Sequence, residues 1–175
     1  MMIIGSVLEF FLGNTFPFVV FGSFGAFWLT LAATLTPYYN ASIAYDPAHP
    51  AQSVFDPVFA STFAYFQLYM GLLCFVFLIC SVRTNIVFFT MFLLLIPAFT
   101  LLAGVFWKIA EGTPEALSTA LSAQHAAGGL GFTVALLGWY LLFVQLLASV
   151  DFPLNLPVGD LSRFIKGASE KAKAG

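Results

Sequence analysis

Charge is scarce in this chain: only 8% of its 175 residues are Asp, Glu, Lys or Arg, against about 25% in an ordinary soluble domain. A small globule exposes too much surface to be covered by so few charged groups, which excludes a water-soluble domain. Basic residues are the rarer sign, 6 Lys and Arg against 8 Asp and Glu for a net charge of −2. Phosphate binding needs clustered Lys and Arg, so nucleic acid is excluded as a partner. Cysteine is limited to Cys74 and Cys80, six apart in one apolar run and on different faces of a helix. They cannot pair with each other there, they lack metal-ligand spacing, and they act as small hydrophobes. Catalytic patterns are absent as well: no H-E-x-x-H, no G-x-S-x-G, no P-loop and no carboxylate pair within an apolar run. His49 and His125 each stand alone. The chain is therefore not read as an enzyme, and no metal or cofactor is expected.

Apolar length fills the space that charge leaves. Hydrophobic residues make up 61% of the chain, mean hydropathy is +0.97, and there are 22 Phe. A helix needs about 20 apolar residues to cross a hydrocarbon layer about 30 Å thick. Four runs reach that length without an internal charge: residues 16–36, 58–82, 86–107 and about 126–150. Such runs are too long and too uncharged to be core helices of a small soluble protein. The expected fold is all-α, a polytopic membrane helix bundle whose first partner is the lipid bilayer. Residues 2–12 are apolar but about half the needed length, interrupted by Glu9, without the basic flank of a signal peptide. They read either as an interfacial helix or as the end of a span whose start lies outside the chain.

The connecting segments suggest an orientation. Residues 38–57 contain Asp46, Asp56 and His49 but no Lys or Arg; the next connection carries Arg83; the one after holds Lys108, Glu111 and Glu115. The tail carries Arg163, Lys166, Lys171 and Lys173. Positive charge marks the cytoplasmic side, so the Arg83 turn and the C-terminus are expected inside and the acidic loops outside. The division is a transmembrane domain over 1–150 and a cytoplasmic tail over 151–175.

Small residues recur within the spans: Gly22, Ser23, Gly25 and Ala26 in the first, and Ala126, Ala127, Gly128, Gly129 and Gly131 in the last. In lipid, close backbone approach favours helix association, and small side chains permit it. Gly22, Gly25, Gly128 and Gly131 are therefore candidate packing positions. Gly13 suits the left-handed position that ends a helix, with Asn14 or Thr15 capping the next and Pro17 in its first turn. This predicts a tight turn between antiparallel helices.

These same residues carry a family likeness. The turn Gly13-Asn14-Thr15-Phe16 and the following Ser23-Phe24-Gly25-Ala26-Phe27-Trp28 resemble the G-N-T-F … S-Y-G-x-F-W signature of the microbial acetate and succinate uptake transporters, the AceTr or YaaH family. His125-Ala126-Ala127-Gly128 with Gly131 is similar to its H-x-A-G-x-x-G, Tyr69-Met70-Gly71-Leu72 to its Y-x-G-L, and 155–160 to its L-P-x-G-acidic tail. The chain is thus identified as a fungal-type member. The resemblance implies a six-helix protomer, a homo-oligomer (a hexamer), location in the plasma membrane, and transport of acetate and similar short carboxylates, passive or proton-coupled. Nothing matches the family's N-P-A-P-L-G-L motif, so its first helix and most of its second are expected to lie outside this chain. That leaves about four full spans and a partial N-terminal helix.

Carried over residue by residue, Phe24 falls at the aromatic position of the family's constriction, where Tyr is usual, and Met91 at another apolar constriction position. Asn14, Thr15 and Ser23 become candidate substrate-binding groups near one mouth, and His125 a proton-linked candidate near the outer end of the last span. Each also has a plain packing reading. The alternative functions are a non-transporting membrane protein of acetate response or ammonium export, and a truncated inactive family member.

Overall fold

The computed structural model describes residues 1–50, 52–162, 164–165 and 167. Among them the regular structure is helical, with one isolated antiparallel β-bridge between Asn85 and Asp160. Five α-helices follow in order: α1 Met2–Phe11, α2 Thr15–Leu35, α3 Pro57–Ser81, α4 Ile86–Glu111 and α5 Pro114–Ser149. The last four are long and apolar enough to cross a membrane, with 21, 25, 26 and 36 residues. At about 1.5 Å per residue even α2 reaches about 31 Å, the thickness of the hydrocarbon layer. The three apolar runs at 16–36, 58–82 and 86–107 coincide with α2, α3 and α4. The fourth lies inside α5, which begins well before it at Pro114.

Local sequence explains where the helices start and stop. At the end of α1 the Asn14 N–H donates to the Glu9 carbonyl at 2.9 Å and the Gly13 N–H to that of Phe10 at 3.1 Å. With Gly13 at φ +78° this is a Schellman close. The Asp56 carboxylate accepts from the Val58 and Phe59 N–H groups at 2.9 and 3.1 Å, and Pro57 opens α3 where no N–H is needed. Asn85 Oδ1 accepts from the Phe88 N–H at 2.8 Å. Gly112, at φ +71°, follows the end of α4, and Thr113 Oγ1 accepts from the Ala116 N–H at 3.2 Å to start α5. Because Thr113 and Pro114 supply this start regardless of hydropathy, α5 begins ahead of its apolar run. Within α4, Pro97 lacks an N–H and so withholds one rung of the hydrogen-bond ladder.

Two compact units account for the packing: Met1–Phe66 with Val105–Ala120, and Gln67–Gly104 with Leu121–Gly175. In the first, α1 and α2 form an antiparallel hairpin. Ser6 Oγ donates to the Phe18 carbonyl at 2.8 Å, and Phe10 lies against Phe18 with ring centroids 5.2 Å apart. A column of rings runs up α3: Tyr45 to Phe59 at 5.5 Å, Phe59 to Phe63 at 5.5 Å, Phe63 to Phe66 at 5.3 Å. Phe27 of α2 stacks on Phe66 at 4.9 Å, and Phe106 of α4 meets Phe63 edge-on at 5.0 Å. Offset stacked and edge-to-face pairs are the favoured aromatic arrangements. The 22 Phe are thus partly consumed in filling this core.

In the second unit Phe92 is 2% exposed and packs on Phe77 and Phe88 at 5.5 and 4.9 Å. The segment after α5 folds back onto the α3–α4 turn. The Ile86 N–H donates to the Gly159 carbonyl at 2.8 Å and the Leu161 N–H to that of Thr84 at 2.9 Å, while Tyr140 Oη donates to the Pro157 carbonyl at 2.7 Å. The 155–160 motif therefore acts as a strap that gives the first amide of α4, that of Ile86, a partner that the helix cannot supply by itself. The basic tail residues Arg163, Lys166, Lys171 and Lys173 lie outside the described residues.

Candidate functional site

The residues singled out from the sequence are distributed between the two units. Phe24 is buried on α2 at 8% exposure. It is the tenth residue of that helix, about 14 Å along its axis, which is mid-depth in a hydrocarbon layer. Ser23 beside it is half-buried. Asn14 and Thr15 are exposed at the N-terminal end of α2. Asn14 is not a free donor, because its Nδ2 donates to Glu9 Oε2 at 2.6 Å. Glu9 thus puts a carboxylate beside the turn, which offsets the partial positive charge of the α2 N-terminus. That ion-dipole partner was not read from the sequence, where Glu9 stood only as an interruption.

Met91 belongs to the second unit. It is half-buried on α4, and a Cβ on Gly138 of α5 would lie 3.7 Å from its Cε. His125 is exposed on α5, eleven residues after Pro114 and so about 17 Å into the helix. The apolar run of α5 starts at the next residue. His49 is exposed in the 38–57 loop, where its Nδ1 lies 3.2 Å from Asp46 Oδ2.

The candidate packing glycines behave differently from one another. A Cβ on Gly22 would stand 2.9 Å from Ser6 Oγ, and one on Gly25 2.6 Å from Ile3 Cδ1 and 3.2 Å from the Ile3 nitrogen. Their missing side chains are what let α1 lie on α2. Among the described residues, nothing beyond the adjoining helix backbone lies within 4 Å of a Cβ built on Gly128, Gly129 or Gly131. An 18-residue stretch of α5 has no buried residue at all.

A residue not singled out from the sequence stands apart on α3. Its buried stripe is Ala60, Phe63, Ala64, Gln67, Met70, Gly71, Cys74, Phe77 and Ser81, at helical spacing, and its one carboxamide is Gln67. Gln67 is 3% exposed, and its Oε1 is buried without a hydrogen-bond partner among the described residues. The available signal was simple: it is the lone Asn or Gln in the 58–82 run. Among the described residues no group of His, Cys, Asp and Glu is placed to hold a metal ion.

Comparison with known proteins supplies the context for these positions. The family model described as GPR1/FUN34/yaaH family matches residues 1–163. Protein alcS of Aspergillus fumigatus is 41% identical over 169 residues, covering 94% of this chain and 60% of that protein. Acetate transporter protein patA of Aspergillus clavatus is 29% identical over 153 residues, covering 86% of this chain and 57% of that protein. Ammonia transport outward protein 2 of Saccharomyces cerevisiae is 30% identical over 138 residues, covering 79% and 43% respectively. The chain therefore spans about 60% of the length of the first of these relatives and less of the others. No solved structure matches it.

Proposed function

The chain belongs to the GPR1/FUN34/yaaH family, and from that premise we propose that it carries acetate and similar short carboxylates across a membrane. The observation that carries this reading is the family match over residues 1–163, joined to a relative whose name states acetate transport. Four membrane-length helices supply the setting. Phe24 is the constriction residue on α2, and Met91 is the apolar constriction residue that α4 supplies. An apolar neck opposes ions because a desolvated charge is costly, and it admits a small acid most readily when that charge is neutralised.

Asn14, Thr15 and Ser23 offer hydrogen bonds on the approach from the α1–α2 turn, and His125 is the group suited to proton exchange. The Arg83 turn and the tail face the cytoplasm, at the plasma membrane. Their common side is supported by the strap that pins residues 158–161 to 84–86. The working unit is a homo-oligomer, a hexamer by family likeness, for which the uncovered length of α5 leaves a face.

Uptake of labelled acetate into proteoliposomes containing the purified chain tests the reading, and flux no greater than that of empty vesicles overturns it. Phe24→Ala is expected to change the rate severalfold while membrane insertion is retained; an unchanged rate removes Phe24 from the path. The yeast relative named for outward ammonia transport favours a second reading, ammonium export. Efflux of labelled methylammonium with no acetate uptake is the result that selects it.

A further inference from the structure

We infer that Gln67 is a hydrogen-bonding station for the neutral, protonated form of the carboxylic acid, an inference that rests on the acetate-passage reading. Gln67 is the eleventh residue of α3, about 15 Å along the helix, so its carboxamide sits near the middle of the hydrocarbon layer. Polar side chains at such depth ordinarily find partners on neighbouring helices. Gln67 is 3% exposed, and its Oε1 has none among the described residues. A carbonyl buried without a donor loses its hydration with nothing in return, a cost that an apolar residue of equal size on the same stripe avoids. Its neighbours one turn away on α3 are Phe63, Ala64, Met70 and Gly71, none of which has a side-chain donor to offer. Gly71 is closed on its far side by Phe99, whose Cβ would lie 3.3 Å from an added Cβ.

An empty acceptor beside an amide NH₂ is the complement of a carboxylic acid. The acid O–H donates to Oε1 while Nε2 donates to the acid carbonyl, closing a cyclic pair of hydrogen bonds. An anion cannot do this, because its oxygen would face Oε1 with no proton between them. The neutral acid is also the form that costs least to place in a medium of low dielectric. Met70, long and flexible, stands one turn away as the side chain able to yield to a small molecule.

The test uses the full chain. Infrared difference spectra of the detergent-solubilised wild type, carrying ¹³C=O-labelled glutamine, are recorded on adding acetic acid, with Gln67→Leu as the reference. A shifted labelled carbonyl band in the wild type and none in Gln67→Leu is the expected result. In proteoliposomes, acetamide, which presents the same donor and acceptor, is expected to compete with labelled acetate, and methyl acetate, which lacks the donor, is not. Gln67→Leu is expected to lower uptake about tenfold, the worth of one buried hydrogen bond, with thermal stability kept or raised. A wild-type band that does not shift overturns the inference whether or not acetate is taken up, and so does equal competition by the two analogues. A shifted band in a chain that takes up no acetate leaves the station in place and removes the transport reading. If Gln67→Leu does not insert, Gln67→Met serves as the reference, and the wild-type competition decides independently.

Discussion

Replacing Gly25 by Ala gives the sharpest test of how α1 is held. The new Cβ would meet Ile3 Cδ1 at 2.6 Å, Cγ1 at 3.0 Å and the backbone nitrogen at 3.2 Å, whereas carbon atoms rest at about 3.5–4.0 Å. The far end of Ile3 can turn away, but the nitrogen moves only if α1 moves. Overpacking of this kind costs about 1–3 kcal/mol, partly offset by the gain of about 1 kcal/mol from replacing a helical Gly by Ala. Net destabilisation of about 1 kcal/mol follows for Gly25→Ala in the native background. In an Ile3→Ala background the two closest contacts vanish and only the 3.2 Å contact with the nitrogen remains, so the propensity gain should bring the same change close to neutral. The coupling between the two sites is then about 1–2 kcal/mol. Gly128→Ala serves as the control: with nothing within 4 Å, it should show only the propensity gain. Unfolding of the four combinations and the control in mixed micelles, followed by helical circular dichroism, measures these terms. Strict additivity of Ile3→Ala and Gly25→Ala, or equal effects of Gly25→Ala and Gly128→Ala, would refute the close α1–α2 approach.

Other substitutions probe the turns. Gly13→Val forces a branched side chain to φ +78° with no neighbour within 4 Å, so its cost of about 1–2 kcal/mol is purely conformational; Gly13→Asn, read in the same unfolding assay, should recover part of it. A Cβ on Gly159 would lie 2.5 Å from Ile86 Cγ2, again at positive φ, so Gly159→Val should release the strap. Faster hydrogen exchange at the Leu161 and Ile86 amides is the readout, and unchanged protection would show that the strap does not depend on this contact. Asp56→Ala removes the acceptor for two N–H groups at the start of α3 and should cost about 1 kcal/mol in the same micelle titration.

The strap and the hairpin are fastened in the same way. Both fasten the ends of membrane-length helices with backbone carbonyls or amides rather than with ion pairs. Such fastening is insensitive to salt, because Debye screening acts on charges and scarcely on hydrogen bonds between uncharged groups. The contrast is the Lys108–Glu111 pair at 2.6 Å, with both side chains nearly half exposed, which is of the surface type that contributes little.

The amino-acid sequence by itself determined that helices cross a membrane, how many runs of that length exist, and where the α1–α2 turn falls. Those properties depend on local quantities: the absence of charge over about 20 residues, a glycine free to take positive φ, and proline in a first turn. Tertiary packing alone decided which glycines admit a neighbour, since Gly22 and Gly25 meet α1 while Gly128 and Gly131 meet no other segment within 4 Å among the described residues. It also decided that Asn14 is spent on Glu9, that the 155–160 motif is a strap on the α3–α4 turn, and that Gln67 is buried with a carbonyl that meets no donor among the described residues. Each of these depends on what a second segment, distant along the chain, brings within hydrogen-bonding or van der Waals range, and no periodicity in one segment encodes that.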